Sequence, residues 1–166
     1  MITLRCTQKL LKRLGSFGND DTHAPTNILG DWYGNLIYAR PQQLVLCLNE
    51  RSLLLVLLRA RDGKSLATRF RQSVLALLNR LNVPASIIEV EASAMQDIRI
   101  GRTASRRVVG CMVEAAKVLE FELRRGEFQT FEELEDQFSE FLYATIGYRY
   151  PREGCIGTDF LSFIIR

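Results

Sequence analysis

The stretch that decides the fold is LIYARPQQLVLCLNERSLLLVLL, residues 36–58. It contains three apolar segments, at 36–39, 44–48 and 53–58, separated by short polar connections. Connections this short favour antiparallel neighbours, because a parallel crossover needs about a dozen residues. The second and third segments are apolar at every position, whereas a strand with one solvated face alternates. We therefore expect these strands to be covered on both faces, by helices or by another subunit.

Periodicity in the rest of the chain adds strands and helices around this region. Residues 2–6 alternate with period two, which is typical of a half-buried strand. A short helix over 8–14 is expected next, between a capping Thr7 and a terminating Gly15. Residues 85–94 suit either a strand or a short helix, and we favour the helix. A further strand is expected over 97–102. Apolar residues spaced three and four apart predict longer helices at 64–81, 105–125 and 131–145, the last one started by a capping box at Thr130.

These elements predict an α+β fold. We expect a single domain over residues 1–166, with an antiparallel β-sheet packed with three or four helices. The sheet is expected to contain residues 2–6, 36–40, 44–48 and 53–58. The composition agrees, since the 166 residues are 47% hydrophobic and 25% charged. Such a composition excludes disordered, collagen-like and small disulfide-stapled proteins.

The cysteines and the lengths of the apolar runs indicate the cellular compartment in which the protein is expected. Cys6, Cys47, Cys111 and Cys155 are widely separated, and His23 is the only histidine. A structural zinc needs about four closely spaced nitrogen or sulfur ligands, so no metal site is expected. Buried reduced thiols suit a reducing cytosol. The longest apolar run, 53–58, is far shorter than a membrane span, and no signal peptide is recognisable. We expect a cytoplasmic protein that makes no contact with a membrane.

Sequence motifs for catalysis and cofactor binding are absent. The chain has no phosphate-binding loop, dinucleotide-binding glycine motif, nucleophile elbow or zinc-protease motif. No cofactor is expected, and the catalytic residues, if any, are unknown. His23 lies near Asp20 and Asp21 in a loop, where it is a general base or, more commonly, an exposed histidine. Cys6 and Cys111 lie on apolar faces, which favours a structural thiol over a nucleophile.

The charges are unevenly distributed along the chain. Residues 1–13, 59–71 and 99–107 are basic, and residues 127–144 are acidic. These segments are either solvated faces or a basic anion-binding face with the acidic helix elsewhere.

The segment at 99–107 is the most distinctive, because a strand ends there and a core helix begins. Backbone N–H groups at such a helix start favour an anion, and guanidinium groups recognise phosphate or carboxylate. Alternatively, the arginines pair with the acidic helix through Glu132, Glu133 and Glu135 and stabilise the fold. The candidate anion-binding residues are Arg99, Arg102, Thr103, Ser105, Arg106 and Arg107.

Two aromatic residues stand before the sheet. Trp32 is the only tryptophan, and Tyr33 follows it. Both rings are candidates for stacking on a ligand. Large core anchors with a polar handle are the more frequent role of such residues.

Several of these segments together resemble a bacterial family of unknown function. The resemblance covers roughly residues 1–125 and rests on 3–14, 29–36, 44–58, Gly101-Arg102-Thr103 and Val109-Gly110. Its typical elements are W-[YH]-A-N-L and R/K-T-x-N-R-S-V-L-G-x-M-N-D. Trp32, Asn35 and Arg106 match these elements, whereas Ser105, Arg107, Val113 and Glu114 depart from them. The resemblance implies a small bacterial accessory protein, in some members encoded on mobile DNA, and it implies no reaction.

Three classes of function follow. The first is a non-catalytic binding or regulatory protein, a homodimer or the partner of another protein, supported by the all-apolar strands and the apolar segment 160–165. The second is a nucleic-acid-binding or anion-binding protein that uses the arginines at 99–107. The third is an enzyme acting on an anionic small molecule, which a cleft near Arg102 with Asp31, Trp32 or His23 would favour.

Overall fold

A computed structural model of the chain describes residues 1–15, 24–39, 42–61, 63–128, 130–141 and 150–154. The strands in this part are β1 (Ile2–Cys6), β2 (Trp32–Ala39), β3 (Gln42–Asn49), β4 (Leu55–Arg59) and β5 (Ile98–Arg102). The α-helices are α1 (Gln8–Leu14), α2 (Leu66–Arg80), α3 (Ala85–Ala94), α4 (Arg106–Arg125) and α5 (Phe131–Ser139). The same part of the chain contains short 3₁₀ turns at Gly63–Ser65 and Pro151–Gly154. The predicted α+β class is confirmed.

The sheet is mixed, which corrects the prediction of an antiparallel one. Its strand order is β4-β3-β2-β1-β5, and β1 runs parallel to both β2 and β5. The antiparallel prediction holds for β2, β3 and β4, which follow one another through short connections. It fails for β1 because long segments of chain, including whole helices, separate β1 from both of its partners. Such segments are long enough for parallel crossovers.

Some boundaries and the number of helices also differ from the expectation. Strand β2 begins at Trp32, and β4 begins at Leu55 because Leu53 has a left-handed backbone with φ 59°. Five α-helices form in the described residues, rather than three or four, because both short helices α1 and α3 are present. Helix α5 ends at Ser139. Glu140 and Phe141 follow it without helical structure, so the predicted extension of the helix is wrong at these two positions. Residues 142–145 of the predicted helix, like Arg40, His23, Cys155 and the segment 160–165, lie outside the described residues.

Two apolar cores lie on the two sides of the sheet. On one side, α1, α2 and α3 cover residues such as Leu4, Trp32 and Val56. On the other side, α4 and α5 cover residues such as Ile37, Leu46 and Leu57. Helices of the same chain therefore cover both faces of β3 and β4, as their uninterrupted apolar sequences predict. No helix in the described part of the chain is both long enough and apolar enough to cross a lipid bilayer.

Local sequence explains how the helix beside the candidate site begins and ends. The hydroxyl of Ser105 accepts a hydrogen bond from the backbone N–H of Val108, at 3.4 Å, and caps the first turn of α4. At the other end, Gly126 adopts the left-handed conformation, with φ 69°, that a helix-terminating glycine supplies at low cost. The sequence thus places the start of α4 directly after β5.

Candidate functional site

One sheet face is divided into an apolar half and a polar half. On the side of α4 and α5, strands β2, β3 and β4 carry mainly apolar residues under the helices. On β1 and β5, alternate positions on this side carry polar residues or glycine, because Thr3 lies opposite Arg99 and Arg5 lies opposite Gly101. We call the following residues the polar half-face: Thr3, Arg5, Tyr33, Asn35, Arg99 and Gly101.

The Arg5 side chain lies at the centre of the polar half-face. Its Nε donates to Oδ2 of Asp31 at 2.8 Å, and its Nη1 donates to the backbone oxygen of Arg102 at 3.5 Å. The other carboxylate oxygen of Asp31 accepts from the backbone N–H of Thr3 at 2.9 Å. Asp31 is 2% exposed, so its charge needs these partners. One arginine therefore connects the start of β2 to the end of β5.

Tyr33 attaches the start of α4 to the sheet. Its hydroxyl oxygen accepts a hydrogen bond from the backbone N–H of Ser105 at 3.1 Å. Burial and the negative charge of Glu50 raise the pKa of Tyr33, so the phenol stays protonated. Two hydrogen bonds thus attach the connection from β5 to α4 to the sheet. Tyr33 binds it at Ser105, and Arg5 binds it at Arg102.

Glu50 adds a second carboxylate beside this cluster. Burial raises its pKa, and the nearby charge of Asp31 raises it further, against the opposing effect of Arg5, Arg51 and Arg107. The guanidinium of Arg107 also donates to the backbone oxygen of Glu50, at 3.2 Å. Two carboxylates, three guanidinium groups and the Tyr33 phenol therefore interact electrostatically at one place. A carboxyl group whose pKa is raised by burial and a neighbouring charge is a candidate functional group in such a cluster.

The predicted anion-binding residues surround this cluster. Arg102, Arg106 and Arg107 are exposed, whereas Arg99, Thr103 and Ser105 are partly buried. The side chain of Arg106 forms no hydrogen bond or ion pair with the residues that the structure describes.

The alternative interpretation is that these arginines stabilise the fold by pairing with acidic residues on α5. The buried carboxylate on α5, Glu135, is instead paired with Arg80 of α2, at 2.7 Å. Glu132 and Glu133 are exposed. The acidic helix therefore takes the cation for its buried glutamate from α2 and not from the segment 99–107.

Trp32 and Tyr33 lie in the two cores, on opposite sides of the sheet. The Trp32 ring contacts Phe70 edge-to-face, with ring centroids 5.5 Å apart. The Tyr33 ring packs in the core beneath α4. Both side chains are buried, so neither ring presents a face to solvent for stacking. The contribution of Tyr33 to the site is its hydroxyl group.

Six residues of the site are absent from the predicted set: Thr3, Arg5, Asn35 and Gly101 of the polar half-face, and the carboxylates Asp31 and Glu50 beside it. Only Asp31 was expected near Arg102, under the enzyme hypothesis, and the structure joins the two residues through Arg5. The alternation of Thr3, Arg5 and Thr7 in the sequence was the available signal, because it places polar residues on one side of β1. The hydroxyl of Thr7 donates to Oδ1 of Asn35 at 3.0 Å, which extends the polar row to β2.

The described cysteines do not contribute a nucleophile or a metal ligand to this site. Cys6, Cys47 and Cys111 are buried. Burial raises the pKa of the Cys6 thiol to about 12, so the thiolate needed for nucleophilic attack is scarce. Within the described ranges, no group of three or more His, Cys, Asp or Glu residues is arranged to hold a metal ion.

Comparison with known proteins gives one match. Residues 3–154 match the model of a family described as a domain of unknown function, DUF6933. Neither the curated proteins nor the solved structures give a significant match.

Proposed function

We propose that this chain, which belongs to the DUF6933 family, is a non-catalytic binding protein that takes an anion at the start of α4. The ligand group is a phosphate or a carboxylate, and the residues that hold it are Arg102, Arg106 and Arg107, with Thr103, Ser105 and Arg99 beside them. Guanidinium groups form paired, charge-assisted hydrogen bonds with such anions. The dipole of a helix as long as α4 adds a favourable field at its N-terminal end.

The observation that carries this proposal is the attachment of the arginine-bearing segment to the sheet. Ser105 is held by the Tyr33 hydroxyl and the Arg102 carbonyl is held by Arg5. A segment fixed in this way loses little conformational entropy when a ligand binds. The exposed guanidinium groups of Arg102 and Arg106 extend from this fixed backbone. A binding site requires such a fixed backbone, whereas a merely solvated face does not.

The domain extent, cellular location and oligomeric state of the protein are also proposed. We propose one domain over residues 1–166, in the cytoplasm of a bacterium, with some relatives carried on mobile DNA. We also propose that the protein forms a homodimer or binds another protein, because the segment 160–165 is apolar. The segments 44–48 and 53–58 no longer support it, because helices of the same chain cover them. Light scattering that gives a 19.0 kDa particle at micromolar concentration would contradict the homodimer.

The proposal is tested by replacing both exposed arginines with the variant Arg102→Ala/Arg106→Ala. We expect it to lose binding of inorganic phosphate, measured by calorimetry, while its melting temperature stays nearly unchanged. A matched control is Arg124→Ala in the last turn of the same helix, where the side chain is 81% exposed. A double variant that binds phosphate as the wild type does, or wild-type protein that binds none, contradicts the proposal.

A second arm of the experiment separates nucleic acid from a small anion. A short single-stranded DNA makes several phosphate contacts, so its affinity falls steeply as salt is raised. We expect a single bound phosphate to respond far less. Steep salt dependence together with loss of DNA binding in Arg102→Ala/Arg106→Ala assigns the site to nucleic acid.

The pair of carboxylates favours one other candidate function, an enzyme acting on an anionic small molecule. Glu50 has a raised pKa beside Asp31 and close to the arginines, which suits a general acid or base. Hydrolysis of p-nitrophenyl phosphate that disappears in Glu50→Gln, while phosphate binding persists, would support it. No hydrolysis by wild-type protein that binds phosphate would count against it.

A further inference from the structure

A charged groove lies at the opposite edge of the sheet from the polar half-face. Strand β4 is an edge strand, and α2 and α5 pack beside it on the two sides of the sheet. Between these three elements is a groove of about 440 Å³. This volume is within the range of small-molecule sites. The groove shares no residue with the proposed anion site at the start of α4.

The groove is unsuited to the addition of a strand from another chain. The outward-facing N–H of Leu57 donates to Oε1 of Glu135 at 2.8 Å, and the carbonyl oxygen of Arg59 accepts from Nη1 of Arg69 at 2.7 Å. Strand addition needs such backbone groups to be available along the edge. Because side chains already occupy these two groups, a compact ligand fits this groove better than an extended peptide.

The positive charge of the groove is concentrated at one end. Arg80 lies at the other end, where Glu135 and Asp136 accept hydrogen bonds from its guanidinium at 2.7 and 3.1 Å and neutralise it. The remaining part is lined by three arginines, Arg59, Arg61 and Arg69, against one further carboxylate, Glu132. The Arg61 side chain is exposed and forms no hydrogen bond or ion pair with residues in the described ranges. This end therefore attracts an anion.

Neighbouring contacts hold two of these guanidinium groups in place. Nη1 of Arg59 donates to Oε1 of Gln42 at 2.6 Å, and its guanidinium lies 5.4 Å from the centre of the Phe131 ring. Nε of Arg69 donates to the Ser65 hydroxyl at 3.1 Å. A guanidinium has five N–H donors, so these bonds orient the group and leave donors for a ligand on Arg59. Fixed guanidinium groups suit a phosphate, which accepts several hydrogen bonds at once.

We propose that this groove is a second binding site, for a small phosphate-bearing molecule. Its phosphate lies against Arg59, Arg61 and Arg69, and its remaining part lies along Ser73 and Ala76 of α2 towards Phe131. The Phe131 ring provides an apolar edge to this part of the groove, and the Arg59 guanidinium that lies over the ring offers a planar surface for a flat group.

The test measures binding of pyrophosphate and of adenosine monophosphate to the full chain by nuclear magnetic resonance. The expected result is a shift of the backbone amides of Arg59, Arg61 and Ser73 during the titration. We expect Arg61→Glu to weaken binding at this groove by about tenfold or more, because it reverses one charge at the phosphate position. The fold should be preserved because the replaced side chain is exposed. Tighter binding of adenosine monophosphate would identify the flat group as a base, and equal affinity would identify the phosphate alone; both outcomes support the site.

Two controls distinguish this groove from the proposed anion site. Arg106→Ala, at the start of α4, should leave the shifts of Arg59, Arg61 and Ser73 unchanged. Arg124→Glu reverses an exposed charge elsewhere and should also have no effect. Shifts confined to the start of α4, no shifts at millimolar pyrophosphate, or unchanged binding by Arg61→Glu would each overturn the proposal. The first and third of these results leave the proposed anion site at the start of α4 intact, whereas the absence of any shift would contradict both sites.

Discussion

The carboxylate of Glu135 on α5 accepts a hydrogen bond from the backbone N–H of Leu57, at 2.8 Å. A side chain thus takes the position that a neighbouring strand would occupy beside β4. The same carboxylate is paired with Arg80, so one buried glutamate connects α5, α2 and the sheet edge. Edge strands with unoccupied donors promote association between sheets, and side chains that cover these donors oppose it.

The titration of Glu135 should make stability depend on pH. Burial raises the pKa of Glu135 from 4.5 to about 7, despite the hydrogen bonds from Leu57 and Arg80. The pKa of Arg80 is raised as well, so the guanidinium stays charged and Glu135 is the group that titrates. Between these two values the folded state keeps a proton that the unfolded state has lost. The contribution of Glu135 to the free energy of unfolding therefore falls as pH rises from 4.5 to about 7.

The variant Glu135→Gln removes this titration. Its free energy of unfolding, measured by urea denaturation across this pH range, should lose the part of the pH dependence that Glu135 causes. The largest difference expected is on the order of 3 kcal/mol, because one pKa unit corresponds to about 1.4 kcal/mol. Identical pH profiles for variant and wild type would contradict the prediction. Glu132→Gln, an exposed change on the same helix, is the control.

Removal of Arg5 should destabilise the protein strongly. Arg5→Ala leaves the buried Asp31 carboxylate without its cation, and breaking a buried pair in this way costs about 3 kcal/mol. Chemical denaturation measures the loss. Adding Asp31→Asn should recover part of it, since the unpaired charge is then absent. Arg124→Ala, which breaks only an exposed pair, should change stability by less than about 1 kcal/mol. Equal effects of Arg5→Ala and Arg124→Ala would show that the Arg5 contact contributes no stability.

The Tyr33 hydroxyl should control the order of the segment between β5 and α4. Tyr33→Phe removes the acceptor for the Ser105 N–H and should cost about 1 kcal/mol of stability. Amide hydrogen exchange should accelerate at Ser105 more than at Met112, in the second turn of the same helix. Exchange at Ser105 that does not change would mean that this hydrogen bond does not hold the segment.

Glu91 should be essential for the loop before β2. Its buried carboxylate accepts hydrogen bonds from the Asn27 side chain at 2.6 Å and from the backbone N–H groups of Ile28 and Leu29, both at 2.9 Å. Glu91→Ala leaves these donors without a partner, and thermal unfolding should show a loss of about 3 kcal/mol. Glu89→Ala, an exposed position on α3, should have almost no effect. Similar melting temperatures for the two variants would be the contrary result.

Local patterns in the sequence predict the elements well and the long-range pairings poorly. Helices α1 and α3 have the expected bounds, and α4 begins one residue later than expected, because caps and periodicity lie within each segment. The parallel pairing of β1 with β5 has no local signal, since the alternation of residues 2–6 describes a strand without naming its neighbour. A mixed sheet is therefore the part of the fold that the sequence does not reveal.

In the candidate site, too, the local features can be predicted from the sequence and the long-range contacts cannot. The start of α4 and its arginines are recognisable from a strand followed by a helix in the sequence. The contacts of Arg5 with Asp31 and Arg102 depend on the order of strands in the sheet. Likewise, the sequence does not identify Arg80 as the partner of Glu135, because both residues have several oppositely charged candidates elsewhere in the sequence.

The parallel pairing of β1 with β5 has a consequence for the synthesis of the protein. Ile2 pairs with Ile98, and all of α2 and α3 lie between them in the chain. A ribosome adds roughly 5–20 residues per second, so β1 emerges several seconds before β5 exists. During this interval the edge of β1 that later pairs with β5 has no partner strand, although α1 can already pack against one face of β1. The sheet is completed only after β5 has been synthesised, so a nascent chain stalled within α3 leaves one edge of β1 unpaired.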